Sequence, residues 1–398
     1  MSDATTGKTL RLHTGGGAAE LVARARALEE VIAGEARAAE ERGRLTDGVV
    51  EALHDAGIFG MWLPAPLGGA ELSPGELIDV LAAVSYADPS TGWVVMATAM
   101  VTGTAGAYLG EEAVREIFGG GGRLPLIAGQ GTRAGTAVRE DGGYRLSGRW
   151  SFGSGILHSS YAHSLGVVED TGEGRIFITP MEDVKLLGNW DVLGLRATGS
   201  VDYAIDGAFV PEAYTHVVTC DMPLRGGALY RLGVLDQALV CHSGWAVGVG
   251  RRLLDELGAH ARARAGRAGQ LAGSDAFHTG YARAEAGFRA AEALVREAWG
   301  DAERTLDAGE ALSVRQETLI RLALNHITWT LAGVADFVYA SCGTSALRDG
   351  PVQRLFRDVH TGTQHITSGP RVLAECGREL AGLAPGHVWH ILDLAIPS

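Results

Sequence analysis

Four segments of the 398-residue sequence hold residue types that could do chemistry together. The first is Gly148-Arg-Trp-Ser-Phe-Gly-Ser-Gly-Ile-Leu-His158, where a strand runs out into Gly-Ser-Gly. Glycines admit a flat ligand close to the backbone, and the Ser154 hydroxyl can donate or accept a hydrogen bond. On composition alone, a strand-end turn of small residues is the stronger reading. The second is Asn189-Trp-Asp-Val-Leu-Gly-Leu-Arg-Ala-Thr-Gly-Ser200. It is either a ligand-facing loop that presents amides and hydroxyls together, or a barrel loop with Arg196 paired to Asp191. The third is Arg357-Asp-Val-His-Thr-Gly-Thr-Gln-His365. His360 and His365 lie about 140° apart round a helix, a poor geometry for joint metal ligation. One histidine can face a pocket and the other a helix neighbour, or both can be packing residues; Arg357 and Asp358 read as structural ion-pair formers. The fourth is Arg262-Ala-Arg264 with Arg267, either a phosphate clamp or a solvated helix C-terminus.

The absent signatures narrow the chemistry. There is no GxSxG, HExxH, GxxxxGK[ST] or strand-embedded GxGxxG, which argues against phosphate-loop and Rossmann-type NAD chemistry. Cys220, Cys241, Cys342 and Cys376 are far apart with no CxxC, so neither zinc nor disulfides are expected. A net charge of −13 disfavours nucleic acid and anionic membranes as partners. No apolar run approaches the roughly 18 residues of a membrane helix, and Met1–Gly17 carries no secretion signal, so a cytoplasmic protein is expected.

These segments need a scaffold. Residues 1–17 read as a disordered tail. Leu21, Leu28, Val31 and Ile32 predict an amphipathic helix from Ala18 to about Arg42. Thr46 is an N-cap and Gly57 a stop for the next helix. Ser73-Pro-Gly-Glu76 is a capping box with proline at the first helical position. Asp88-Pro-Ser90 opens a helix that is apolar nearly all round, through Trp93, Met96 and Met100, and so is buried. A short helix follows at Glu111–Phe118. The period then changes: residues 124–217 alternate apolar and polar. Asp141-Gly-Gly143 marks a hairpin, further strands are expected at 163–168, 175–180, 184–190 and 201–210, and the whole reads as a small antiparallel barrel or sandwich. From Tyr230 helices are predicted at 232–264, 274–306, 313–342, 351–366 and 370–381, with a second capping box at Ser313-Val-Arg-Gln316. The expected class is α+β, mainly α, in three parts: 18–123, 124–229 and 230–398.

Taken in this order, the segments resemble the acyl-CoA dehydrogenase fold from about Ala18 to Leu394. Leu53-His-Asp-Ala-Gly-Ile-Phe-Gly-Met-Trp-Leu-Pro-Ala-Pro-Leu-Gly-Gly69 matches that family's loop before the third helix. Ala87-Asp-Pro-Ser-Thr-Gly-Trp93 is similar, more narrowly, to the flavin-dependent monooxygenase branch, the oxygenase components of two-component systems. The 4-hydroxyphenylacetate hydroxylase and dibenzothiophene monooxygenase types belong there. Gly148–His158, Leu195–Ser200 and Arg357–His365 match that branch too.

The resemblance implies an N-terminal helical part, a middle β part and a C-terminal bundle that builds a homotetramer, a dimer of dimers, with Trp329, Phe337 and Trp389 at the interface or in the core. It implies that reduced FMN or FAD, supplied by a separate NAD(P)H:flavin reductase, reacts with O2 to a C4a-hydroperoxide. That species then hydroxylates an aromatic or polycyclic small molecule, of the kind met in natural-product biosynthesis. FMN is favoured because no adenine-binding segment stands out. By the same resemblance Ser154 lies near flavin N5, and His365 is the base that takes a phenolic proton, with His360 second. Trp150, Phe152, Arg196, Thr198 and Ser200 face the cofactor. Arg262 or Arg264 grips its phosphate, often from a neighbouring subunit. Trp93, Met96, His158, Tyr161 and Trp190 wall the substrate pocket, and no metal is involved. Three alternatives stand beside this. An FAD-dependent acyl-CoA dehydrogenase would use Asp349 at that branch's glutamate position, one methylene short. An amine or amino-sugar N-oxygenase would need no phenol-deprotonating base. A flavin-binding protein without turnover is the third.

Overall fold

The computed structural model describes residues 17–266, 271–386 and 388–389. The expectations for residues 1–16, for Arg267 and for the apolar last residues lie outside them. The first helical stretch forms α1 (Ala18–Ala27), α2 (Glu29–Arg42), α3 (Asp47–Asp55), α4 (Pro74–Ala87), α5 (Pro89–Tyr108) and α6 (Glu111–Phe118). The long helix expected from Ala18 is two, broken at Leu28. The caps act as their chemistry predicts. Thr46 accepts the Val49 N–H at 3.3 Å, and Glu76 accepts the Ser73 N–H at 2.9 Å. Asp88 accepts the Thr91 N–H and hydroxyl, both at 2.8 Å. Every position of α5 is buried except Trp93 and Ala97, which are one turn apart and share a face.

The alternating stretch forms β1 (Ile127–Glu140), β2 (Gly143–Trp150), β3 (Tyr161–Val168), β4 (Gly174–Pro180), β5 (Lys185–Leu186), β6 (Tyr203–Pro211) and β7 (Thr215–Val217). The order is β5-β6-β2-β1-β3-β4-β7 in one seven-stranded sheet. The sheet is open, which corrects the expected barrel, and it is not wholly antiparallel, because β1 pairs with β3 in parallel. Both departures have local causes. The edge strands β5 and β7 are two and three residues long, too short to close on each other. The segment after β2 crosses the end of β1 before β3 begins, so β3 runs with β1. The strand expected at 184–190 shrinks to Lys185–Leu186, and the rest of it belongs to a long loop.

The second helical stretch forms α7 (Gly233–Ala263), α8 (Asp275–Asp307), α9 (Val314–Cys342), α10 (Pro351–Gly362) and α11 (Pro370–Leu380). α7 lies against α4 at backbone distance: a Cβ on Gly244 would stand 2.7 Å from the Leu81 Cβ, and one on Gly248 2.2 Å from the Ala82 carbonyl. A buried Asp236–Arg321 pair at 2.8 Å joins α7 to α9. The Trp389 indole donates to Thr318 at 2.8 Å and lies under the Arg321 guanidinium. One apolar core runs through helices and sheet alike. Among the described residues no helix is long and apolar enough to cross a membrane.

The 187–202 loop is pinned to α10 at three successive residues. The Arg357 guanidinium donates to the Leu193 carbonyl at 3.0 Å. Gly194 packs where a Cβ would meet the Arg357 carbonyl at 2.2 Å. The buried Asp358 carboxylate accepts the Leu195 N–H at 2.5 Å. Asp358 thus caps a loop rather than forming the ion pair the sequence suggested. Burial, then the neighbouring Asp88 charge, pushes its carboxyl up to about 7. An acid whose folded value exceeds its unfolded one, about 3.9, binds an extra proton in the native state. Its contribution to stability therefore falls as pH rises from about 4 to about 7 and is level outside that window. Asp358→Asn keeps an acceptor for Leu195 without the charge. Urea unfolding should show the variant gaining on the wild type across that window and levelling above it. A pH-independent difference would show that Asp358 ionises like a surface carboxylate.

Candidate active site

Five distant segments bring side chains to one place. α5 supplies Trp93. The β2–β3 connection supplies Ser154. The pinned loop supplies Thr198 and Ser200, α7 supplies His242 and Trp245, and the turn after α10 supplies His365. The Trp93 indole N–H donates to Ser154 Oγ at 3.2 Å. Ser154 Oγ lies 2.7 Å from Ser200 Oγ, and Ser200 Oγ 2.7 Å from Thr198 Oγ1. The rings of His242, Trp245 and His365 stand 4.9, 5.2 and 5.8 Å from Trp93, centre to centre. His242 and His365 are only 4.0 Å apart, tilted by 36°.

His365 is not on a helix. α10 stops at Gly362, where a Cβ would meet the Trp245 ring at 2.5 Å. His365 instead heads the turn that follows, its Nδ1 2.8 Å from Thr367 Oγ1. The predicted helix to residue 366 was therefore too long. Burial pushes the His365 imidazole down to about 4. His242 is also pushed well down, first by burial and then by the like charge His365 would carry. Both rings are neutral at physiological pH.

The remaining predicted residues are scattered. Met96 is buried on α5, and its carbonyl accepts the Cys241 thiol at 3.6 Å. Trp190 donates to the Leu195 carbonyl at 3.3 Å and meets Phe152 edge-on at 6.3 Å. Phe152 is 64% exposed with a left-handed backbone, φ 66°. Trp150 belongs to the core: it is fully buried, donates to the Leu165 carbonyl at 3.0 Å and stacks on Tyr203. Arg196 turns to Glu40 at 3.9 Å and to the Val192 carbonyl at 3.2 Å, not to Asp191. His360 bonds Asp336 at 3.0 Å on the face of α10 that meets α9, outside the cluster. His158 points toward Arg44, where burial and that charge push it down to about 4. Tyr161, the first residue of β3, lies by Glu116 and Glu182. Arg262 and Arg264 are exposed at the end of α7, roughly 30 Å along the helix from His242 at 1.5 Å per residue; Arg264 donates to Ser345 at 2.7 Å. Asp349 is half exposed and paired with Arg37 at 3.1 Å and Arg354 at 3.7 Å. Among the described residues no group of three or more His, Cys, Asp or Glu could hold a metal.

Sequence reasoning missed His242 and Trp245. Their i, i+3 spacing on a buried helix was the available signal. It is no different from that of a core histidine beside a core tryptophan.

Models described as the N-terminal and C-terminal domains of acyl-CoA dehydrogenase match residues 19–119 and 240–369. An oxygenase component named FADH2-dependent resorcinol hydroxylase, from a Rhizobium species, is 26% identical over 389 residues, 92% of this chain and 95% of the relative. The solved structure of XiaF from a Streptomyces species, in complex with FADH2 and glycerol, aligns with a TM-score of 0.84 at 26% identity, covering 94% of this chain and 98% of that one. A pigment production hydroxylase from a Rhodococcus species is 30% identical over 364 residues, 87% of this chain and 92% of the relative. The chain belongs to the flavin-dependent monooxygenases of the acyl-CoA dehydrogenase fold.

A flavin-dependent monooxygenase must offer polar partners to a flat heterocycle and a dry space beside it. The polar set here fits a flavin. One indole N–H and three hydroxyls form a row, and the backbone on either side takes left-handed turns at Phe152 and Gly199. Aromatic rings close the other side. A separate cleft of about 260 Å³ between Glu71, Glu76, Leu229 and Glu303 contains none of these residues.

The enclosure of His365 can be read in solution. Its ring-proton NMR shifts should stay flat from pH 8 down to about 5 and move only toward pH 4. A midpoint near 6.5, the value of a solvated imidazole, would place the ring in water.

Proposed function

We propose that the protein hydroxylates an aromatic small molecule at the Trp93–His242–His365 pocket, with reduced flavin delivered by a separate NAD(P)H:flavin reductase. The observation that carries this is a neutral, enclosed imidazole in the same pocket as the Ser154 hydroxyl row. Bound reduced flavin activates O2 and supplies the oxygen atom. The chain supplies the surroundings. Ser154 would hold the N5 edge of the flavin. Trp93, Trp245 and His242 exclude water, which would otherwise divert the activated oxygen. His365 is the base that accepts the substrate's phenolic proton, its ring held in place by Thr367. FAD is favoured over FMN, because one relative is named as FADH2-dependent and one similar structure holds FADH2. This reverses the preference drawn from the sequence.

The distance of Arg262 and Arg264 from the pocket favours a homotetramer in which they grip the flavin phosphates of a neighbouring protomer. The division at residues 123/124 and 229/230 and a cytoplasmic location complete the reading. Asp349, tied up with two arginines at the surface, gives no support to the dehydrogenase alternative.

The test is stopped-flow absorbance on mixing protein and anaerobic reduced FAD with oxygenated buffer, followed by product analysis with phenolic and indolic substrates. A transient near-ultraviolet band that outlives the free-flavin reaction is expected. His365→Ala should keep the band and lower hydroxylation by about 10²-fold or more, the usual size of a general-base contribution. Ser154→Ala should shorten the band's lifetime. Full turnover in His365→Ala would remove the base assignment and favour N-oxygenation.

A further inference from the structure

The hydroxyl row beside the pocket has a direction. A carbonyl can only accept, so the 2.7 Å contact from Thr198 Oγ1 to the Leu195 carbonyl uses the Thr198 proton. Thr198 Oγ1 must then accept from Ser200 across 2.7 Å. That uses the Ser200 proton, so Ser200 Oγ must accept from Ser154 across 2.7 Å. At the other end an indole N–H can only donate, and Trp93 fills one of the two lone pairs of Ser154 from 3.2 Å. Ser154 is left with one lone pair and no proton to give. Reversing the row would set Thr198 Oγ1 against the Leu195 carbonyl at 2.7 Å with no hydrogen between them.

Two features hold the direction fixed. Thr198, Ser200 and Ser154 are 1%, 3% and 8% exposed, so bulk water is not at hand to exchange for the internal partners. The terminal carbonyl belongs to Leu195, whose backbone is left-handed at φ 53° and whose N–H is held by Asp358.

We propose that Thr198 and Ser200 are positioning residues that lock Ser154 as a hydrogen-bond acceptor and so make the pocket selective for reduced over oxidised flavin. The inference rests on the flavin reading above. Reduced flavin carries a proton on N5 and donates to the free lone pair of Ser154. Oxidised flavin presents a bare N5, whose lone pair would face that of Ser154. The same row would then take up reduced flavin from the reductase and release the oxidised form after turnover.

The test is equilibrium binding, without turnover, of the full chain to oxidised FAD and, anaerobically, to reduced FAD. Wild type should bind the reduced form more tightly. Ser200→Ala returns the Ser154 proton to the pocket, where it can bond a bare N5. The ratio of oxidised to reduced Kd should then fall at least about fivefold, the scale of one hydrogen bond. Thr198→Val is near-isosteric and frees the Ser200 proton to turn toward Ser154, so it should lower the ratio in the same sense and serves if Ser200→Ala fails to fold. In a Ser154→Ala background both changes should be silent, which a merely structural role would not produce. Equal wild-type affinities, or a ratio that neither variant moves, would overturn the proposal while leaving the flavin site intact. Binding of neither flavin by wild type would remove the flavin reading and this inference with it.

Discussion

A buried carboxylate holding one backbone N–H organises the site. Asp358 sits beside a second buried acid, Asp88, and the two repel. Leaving such a group unpaired in the interior is expensive. Each acid is therefore used as a cap: Asp88 for the first turn of α5, Asp358 for Leu195 at the left-handed start of the Arg196–Ser200 turn. The two caps lie where α5, α10 and the loop meet. Trp93 stands five residues into α5, Ser200 five residues beyond Leu195, and His365 seven beyond Asp358. Small shifts at the capped pair therefore move all three groups that define the pocket.

Charge is kept away from the pocket face. The acids and arginines nearby are spent on one another or on the backbone: Arg357 on Glu40 and Leu193, Arg196 on Glu40 and Val192, His360 on Asp336. What faces inward is indole, imidazole and hydroxyl. An imidazole enclosed by an indole and a second imidazole stays neutral because burial penalises its charged form. Such a surface carries no standing charge that would draw water in. Two of the three non-glycine left-handed residues among the described residues, Phe152 and Leu195, flank the hydroxyl row on separate strands of chain. Backbone strain of this kind is commonly stored where geometry is functional.

What could be read from the sequence was local chemistry. The caps at Thr46, Ser73, Asp88 and Ser313 depend on residues three apart, and all four form. The errors fall where distant packing decides. α10 ends early because the Trp245 ring crosses it at Gly362, a contact between residues 117 apart that no local pattern reveals. The sheet stays open because its edge strands β5 and β7 are only two and three residues long, and β5 gives way at once to the loop that docks on α10. Trp150 was expected at the cofactor by family resemblance, yet its register opposite Tyr203 turns it into the core. Ser154 and His365 were singled out through family resemblance; spacing alone left each no better than a turn serine or a packing histidine.

The packing of the aromatic cluster depends on glycine in a different helix. α7 carries His242 and Trp245, and their reach toward Trp93 depends on how closely α7 approaches α4 and α5. Gly244 and Gly248 set that distance by letting the α7 backbone touch Leu81 and Ala82 on α4. A side chain at either position would force the helices apart by the width of a methyl group. His242 would then move with its helix, while His365, fixed by the turn after α10, would not. Their 4.0 Å separation is therefore a measure of helix packing as much as of local side-chain contact. The same reasoning explains why α5 is open only at Trp93 and Ala97: its other faces are sealed by α4, α7 and the sheet, and the open one is where chemistry can be admitted.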